Sequence, residues 1–298
     1  MTKNPDKSIE DTGERMIPSY HKGNLVFGEH ITRYTAAAEI VKGKTVLDIA
    51  SGSGYGSHLL SQHAKKIFGV DVDPTAIEYA KKNYKNDNLR FLLGDGKTIP
   101  LDDNSVDVVT SFETIEHIEA YDNFMKEIHR VLKDDGLLIL STPNKTEFPK
   151  GNHYHVHEFE DKELKQLIKK YFINHKAYYQ STWLHNMLSV EQDMTKDWDG
   201  TIHTMQTAPA SIDKALYFYF LCSNRKINES VTPLAAISQH YSAREVQEYE
   251  ESVRAHIEEQ GKVMQDLEQR LNILQGRYRR IEKLHARYSR FKQKLTRR

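Results

Sequence analysis

One cysteine, two tryptophans and no long apolar run: this 298-residue chain is first described by what it has little of. The lone Cys222 excludes an internal disulfide and fits a reducing compartment. It lies in the run Ala215-Leu216-Tyr217-Phe218-Tyr219-Phe220-Leu221-Cys222, so a packed rather than reactive thiol is expected. No stretch approaches the ~20 apolar residues that span a bilayer. Met1 to Asp11 is polar and shows no secretory leader, which gives a cytoplasmic expectation. Net charge is also missing, with 42 basic and 42 acidic residues, but that balance conceals a division. Residues 277–298 hold ten Lys or Arg and one acid, Glu282, so this stretch carries +9 and the remainder −9. A basic tail with its own partner is the reading. The length suggests one large core plus an appendage.

Glycine is sparse too, fifteen in all, yet the most informative stretch is rich in it: Val46-Leu47-Asp48-Ile49-Ala50-Ser51-Gly52-Ser53-Gly54-Tyr55-Gly56. It reads as strand, tight turn and helix, the place where an open α/β sheet binds a nucleotide-like ligand. The dinucleotide fingerprint fails here, because Ser57 stands where its third glycine belongs. Asp48, ahead of the glycines, is poorly placed beside a pyrophosphate. A ligand with a positive centre and no phosphate suits it better, and S-adenosylmethionine is such a ligand.

The downstream spacing agrees. Ile67-Phe68-Gly69-Val70-Asp71 ends in an acid 19 residues after Gly52, a distance at which a carboxylate can accept from a ribose diol. Leu89 to Leu93 runs into Gly94-Asp95-Gly96, and residues 106–111 and 136–141 supply two more strand candidates. Helical patterns lie between them, as at Phe124, Ile128, Val131 and Leu132. Strands alternating with helices predict an α/β fold with a parallel sheet covered on both faces.

In these motifs the chain resembles the class I S-adenosylmethionine-dependent methyltransferases, a Rossmann-like family, over roughly residues 28–225. The motifs are residues 47–54, Gly69-Val70-Asp71, Gly94-Asp95-Gly96 and Ser111-Phe112-Glu113-Thr114-Ile115-Glu116-His117. The resemblance implies seven strands with the last antiparallel. It puts Asp71 on the ribose, Asp95 and the Gly96 amide on the adenine edge, and Gly52 and Gly54 under the methionine. Asp48, Ala50, Ser111 and Arg33 complete the cofactor-binding set. Ala50 replaces the family's usual first glycine, so a negative φ is expected there.

Glu113, Glu116 and His117 stand at i, i+3 and i+4, which on a helix is one face. Downstream comes His153-Tyr154-His155-Val156-His157-Glu158. Glu-x-x-Glu-His looks like the metal motif of ubiquinone-pathway O-methyltransferases and small-RNA 2′-O-methyltransferases, with His155 or His157 completing the site. Mg²⁺ or Mn²⁺ suits such a set. Two alternatives stay open. His117 acts as a metal-free general base, with Glu113 beside it, or the two acids merely cap a helix N-terminus.

Toward the ends, Thr12 to Pro18 and Glu29-His30-Ile31-Thr32-Arg33-Tyr34 resemble methyltransferases associated with bacterial surface polysaccharides. Residues 1–27 would cover the cofactor, with Arg15 or Arg33 pairing with its methionine carboxylate. Residues 183–213 read as a substrate-side cap and 226–242 as a linker. From 243 to 298 a heptad pattern through Val253, Ile257, Met264, Leu267, Leu271 and Leu274 predicts a coiled coil and a homo-oligomer, ending in a basic amphipathic stretch. The expected acceptor is a hydroxyl, on a sugar of a lipid-linked glycan or on another small molecule. RNA 2′-O-methylation and a noncatalytic scaffold are the alternatives, though the acidic body disfavours nucleic acid. A peripheral place at the inner membrane face follows from the tail. Deleting residues 277–298 should abolish co-sedimentation with anionic liposomes, and undiminished sedimentation would exclude membrane attachment through them.

Overall fold

Thr45–Ile49 forms the central strand β1, and its side chains are buried from Val46 onward. Such a strand, apolar toward both faces, belongs in the middle of a parallel sheet covered by helices. A computed structural model describes residues 9, 15–22, 24–148, 152–182 and 211–234. The expected coiled coil at 243–298, nearly all of the 183–213 cap and the later part of the linker lie outside the described residues.

The other strands are β2 (Lys66–Asp71), β3 (Leu89–Leu93), β4 (Val106–Phe112), β5 (Leu132–Pro143), β6 (Asn174–Gln180) and β7 (Tyr217–Ser223). Their order is β3-β2-β1-β4-β5-β7-β6, and β7 runs antiparallel to both neighbours. This is the seven-stranded α/β sheet with an antiparallel last strand that the family resemblance implied. Strand order reverses between the parallel neighbours β1 and β4, with β2 and β3 on one side and β4 and β5 on the other, so the carboxyl ends of these two strands open a crevice.

Helices α1 (Pro18–His21), α2 (Leu25–Ile40), α3 (Tyr55–Ser61), α4 (Pro74–Asn83), α5 (Tyr121–Val131) and α6 (Asp161–Tyr171) cover the sheet. Local chemistry sets their starts. The Asn24 side chain accepts from the Phe27 amide to cap α2, and Asp73 accepts from Thr75 to cap α4, with Pro74 at its first position. Tyr34, Ala37, Leu60, Ile77 and Phe91 fill one core. Phe124, Ile128, Leu138, Leu164 and Phe218 fill the other. Each leucine, isoleucine and phenylalanine among them contributes roughly 1.5–3 kcal/mol through burial. Cys222 is buried, and burial pushes its thiol pKa up. None of the helices among the described residues is long and apolar enough to cross a membrane.

Two local expectations are corrected. Ala50 has φ +58°, in the left-handed region, not the negative φ expected of it. The turn must leave β1 sharply, and the Ser51 amide is fixed to the Val70 carbonyl at 2.9 Å, which holds Ala50 in that conformation. Residues 113–117 do not form an α-helix. Only Ile115–His117 make a 3₁₀ turn, and Glu113 precedes it with φ +49°. Gly54 has φ +85°, and a Cβ there would lie 2.6 Å from Ala80 Cβ and 2.8 Å from the Phe91 ring. Gly54→Ala should therefore lower stability by more than ~2 kcal/mol through left-handed strain and overpacking. Ala50→Gly relieves strain but adds unfolded-state entropy, so its net change should stay within about 1 kcal/mol. Thermal melts of the two variants check both values.

Candidate active site

A buried carboxylate organises the tip of β1. Asp48 is 1% exposed and accepts from Ser57 Oγ at 2.6 Å, Thr110 Oγ1 at 2.8 Å and the Tyr34 hydroxyl at 3.3 Å. Burial raises its pKa to about 6 against the pull of those hydrogen bonds. Its hydrogen bonds run to protein hydroxyls, so it braces the turn from behind. Asp71, at the end of β2, accepts from the Gly52 amide at 2.7 Å and the Asp73 amide at 2.9 Å, one on each oxygen. Each oxygen keeps further lone-pair capacity for a diol.

Above this turn runs the segment before α1. Arg15 pairs with Asp73 at 2.7 Å, and its Cγ lies 3.6 Å from where a Gly52 Cβ would stand. Ser53 Oγ donates to the Met16 carbonyl at 2.9 Å. Asp95 is exposed and accepts from the Lys97 amide, while Gly96 packs against the Phe124 ring. Two apolar residues at the same strand tips went unnoticed in the sequence. Val72 and Leu93 are 68% and 56% exposed, each immediately beside an acid or turn of the motif set. An apolar residue next to a strand-end acid or turn, Val72 after Asp71 and Leu93 before Gly94, was the only signal. The hydroxyls of Ser51 and Ser111 are buried without hydrogen-bond partners.

Arg33 is 1% exposed on α2. Its Nη1 lies 3.2 Å from Gln180 Oε1 and 3.3 Å from Glu113 Oε1, and its guanidinium sits 4.5 Å from the Tyr217 ring centroid. Burial opposes its charge, but Glu113, Tyr217 and Glu29 together hold its pKa above the usual value. Nearby, His30 Nδ1 meets the Tyr55 hydroxyl at 2.7 Å, and burial with the Arg33 charge depresses its pKa.

The second cluster follows β4. Glu116 is fully buried. Thr142 Oγ1 donates to its Oε2 at 2.8 Å, and Oε1 has no hydrogen-bond partner. Burial and the charge of Glu113 drive its pKa well above the carboxylate range. His117 Nε2 lies 3.9 Å from Oε1. Its Nδ1 is 3.0 Å from the Tyr154 carbonyl, which can only accept, so Nδ1 carries the proton. His155 Nδ1 is 2.8 Å from Glu158. One ligand atom from each of Glu116, His117 and His155 falls within 4.8 Å of the others.

Backbone bonding assembles this group: the amides of Val156 and His157 both donate to the Glu116 carbonyl, at 2.9 and 3.0 Å. His157 turns instead to Glu163 at 2.7 Å. Glu113 is outside the cluster, taking Ser141 Oγ at 2.7 Å as well as Arg33. Neither acid caps a helix, since the 3₁₀ turn and α5 both start without a side-chain cap.

Residues 47–140 match the Methyltransferase domain family. Over 174 residues the chain is 33% identical to a probable S-adenosylmethionine-dependent methyltransferase of Mycolicibacterium smegmatis, covering 55% of this chain and 67% of that one. This chain belongs to the class I S-adenosylmethionine-dependent methyltransferases. A relative of the same description in Mycobacterium tuberculosis is 35% identical over 162 residues, covering 53% of this chain and 58% of its own length. Among solved structures, the methyltransferase in complex with the Haloferax volcanii Trm112 activator superposes with a TM-score of 0.50 at 18% identity. That likeness covers 67% of this chain and 92% of the other, and it is one of fold.

The cofactor of this methyltransferase is S-adenosylmethionine. The crevice fits it chemically, with a carboxylate for a diol, a glycine turn for close approach, exposed apolar surfaces for a purine and unpaired buried donors on Arg33. Asp48 provides a pH test of the crevice. Its pKa is higher in the fold than the ~3.9 of an unfolded chain, so the folded state binds more protons between about pH 4 and 6. Its contribution to stability therefore falls as pH rises through that window. Asp48→Asn should flatten the decline in melting temperature across that range, and an unchanged profile would mean that Asp48 is ionised throughout.

Proposed function

We propose that this methyltransferase methylates a hydroxyl group with the aid of a divalent cation held by Glu116, His117 and His155. Glu116 carries the reading. A fully buried carboxylate oxygen without a hydrogen-bond partner is costly unless a cation or proton faces it, and two imidazoles share its neighbourhood. When bound, S-adenosylmethionine supplies a methyl on a positively charged sulfur, and a divalent cation lowers the pKa of a hydroxyl bound to it.

The chain's own residues set the rest. The Tyr154 carbonyl, Glu158 and Thr142 hold the three ligand side chains in orientation, as outer partners of metal ligands do. Of Mg²⁺ and Mn²⁺, the two imidazole nitrogens suit Mn²⁺ better. On the cofactor side, Asp71 takes the ribose hydroxyls, and Asp95 with the Gly96 amide takes the adenine edge, with Val72 and Leu93 against its faces. Gly52 and Gly54 pass under the methionine, whose carboxylate goes to Arg33. Glu113 orients Arg33 instead of binding metal. Alignment of donor and acceptor then supplies much of the acceleration.

For the acceptor we favour a sugar hydroxyl of a lipid-linked glycan. Support comes from the resemblance in residues 12–34 and from exposed Tyr154 and Val156 on either side of His155. An aromatic and an aliphatic surface there suit the apolar face of a sugar ring.

A strong chelator should abolish methyl transfer and Mn²⁺ should restore it, while Glu116→Gln should remove Mn²⁺ binding in calorimetry. Thr142→Val should weaken Mn²⁺ affinity by about 10- to 100-fold. Full activity in chelator would overturn the metal and leave His117 as a metal-free base.

A further inference from the structure

The surroundings of Arg33 determine which of its donors are committed. Nη1 serves Gln180 and Glu113, and the guanidinium face lies against Tyr217. Nε and Nη2 are buried without partners. These two atoms form one edge of the guanidinium, with parallel N–H bonds spaced to meet both oxygens of a carboxylate. The unpaired edge is thus the one made for bidentate recognition.

Gln180 and Tyr217 are themselves held by one residue, Glu29, a helical turn before Arg33 on α2. The Tyr217 hydroxyl donates to Glu29 Oε2 at 2.8 Å, and Thr182 Oγ1 donates to Oε1 at 2.6 Å. Gln180 Nε2 donates to the Glu29 backbone carbonyl at 3.0 Å. With its NH₂ committed there, Gln180 must turn its oxygen toward Arg33. With its hydroxyl anchored, Tyr217 must lay its ring along the guanidinium. Glu29 therefore joins the end of β6 and the start of β7 to the helix that carries Arg33.

We propose that Glu29 is a positioning residue for cofactor binding: its carboxylate anchors Tyr217 while its backbone carbonyl turns Gln180, and the side-chain anchor on Tyr217 makes Arg33 present its Nε–Nη2 edge to the cofactor's carboxylate. This rests on the reading that Arg33 receives that carboxylate. The role is separable from general packing, because only ligands that carry the amino-acid moiety depend on it.

Calorimetry on the full chain with S-adenosylhomocysteine and with 5′-methylthioadenosine, which lacks that moiety, tests it. Glu29→Gln should weaken S-adenosylhomocysteine about tenfold and leave 5′-methylthioadenosine within about twofold. Tyr217→Phe keeps the ring, loses the anchor and should shift the same ligand in the same direction. Arg33→Gln should erase the preference for S-adenosylhomocysteine, and adding Glu29→Gln to it should cost nothing more. In turnover, Glu29→Gln should raise KM for S-adenosylmethionine with kcat at saturation unchanged. Equal losses for both ligands in Glu29→Gln would overturn the proposal, as would a retained preference. If Arg33→Gln keeps the preference, the reading of Arg33 itself fails. Should Glu29→Gln not fold, Tyr217→Phe decides.

Discussion

The carboxylate of Asp48, sunk at the tip of β1, takes hydroxyls from three elements at once: Tyr34 on α2, Ser57 on α3 and Thr110 on β4. Burying such a group unpaired would cost several kcal/mol, whereas hydrogen bonds to a charged acceptor contribute about 1.5–3 kcal/mol each. The rest of the crevice follows from satisfying it. Ser57 fixes where α3 starts, and so the path of the turn. Thr110 sets β4 against β1 at the reversal of strand order. Tyr34 draws α2 across the sheet edge, and with it come Glu29, His30 and Arg33. The Tyr34 ring then packs edge-on against Phe112 and Tyr55, which closes the floor beneath the turn.

The turn after β4 has the second organising role, and it works by sending two acids apart. With Glu113 at φ +49°, its carboxylate turns to Ser141 and Arg33, while Glu116 points inward among Thr142, His117 and His155. Backbone strain of this kind persists only where its surroundings over-determine it. Here Ser141, Thr142 and the loop bonded to the Glu116 carbonyl do so. A single five-residue stretch thereby faces both a buried guanidinium and a cluster of metal-ligand type.

Much of this fold was legible in the sequence, for a simple reason. Buried parallel strands are short apolar runs, and residues 46–49, 67–71, 89–93, 106–111 and 136–141 are such runs, punctuated by acids and glycines. Their order and spacing also carried the cofactor class. Side-chain direction was less legible. Asp48 reads as a carboxylate near a ligand, yet three hydroxyls distant in sequence claim it. The i, i+3, i+4 spacing of Glu113, Glu116 and His117 reads as a helix face, but a positive φ separates Glu113 from the other two. His155 and His157 are equivalent as sequence, being two residues apart in one loop. The backbone bonds to Glu116 choose between them.

By itself, then, the sequence determined the five parallel strands from their periodicity, and its motifs, in order and spacing, carried the resemblance that implied the family, the full sheet and the donor of the methyl group. Tertiary structure alone decided that Ala50 adopts a left-handed turn, that Glu116 is left with an unpaired oxygen beside two imidazoles, and that Glu29 braces Arg33 through Gln180 and Tyr217. Those outcomes depend on contacts between residues as much as 188 positions apart, and no local pattern encodes them.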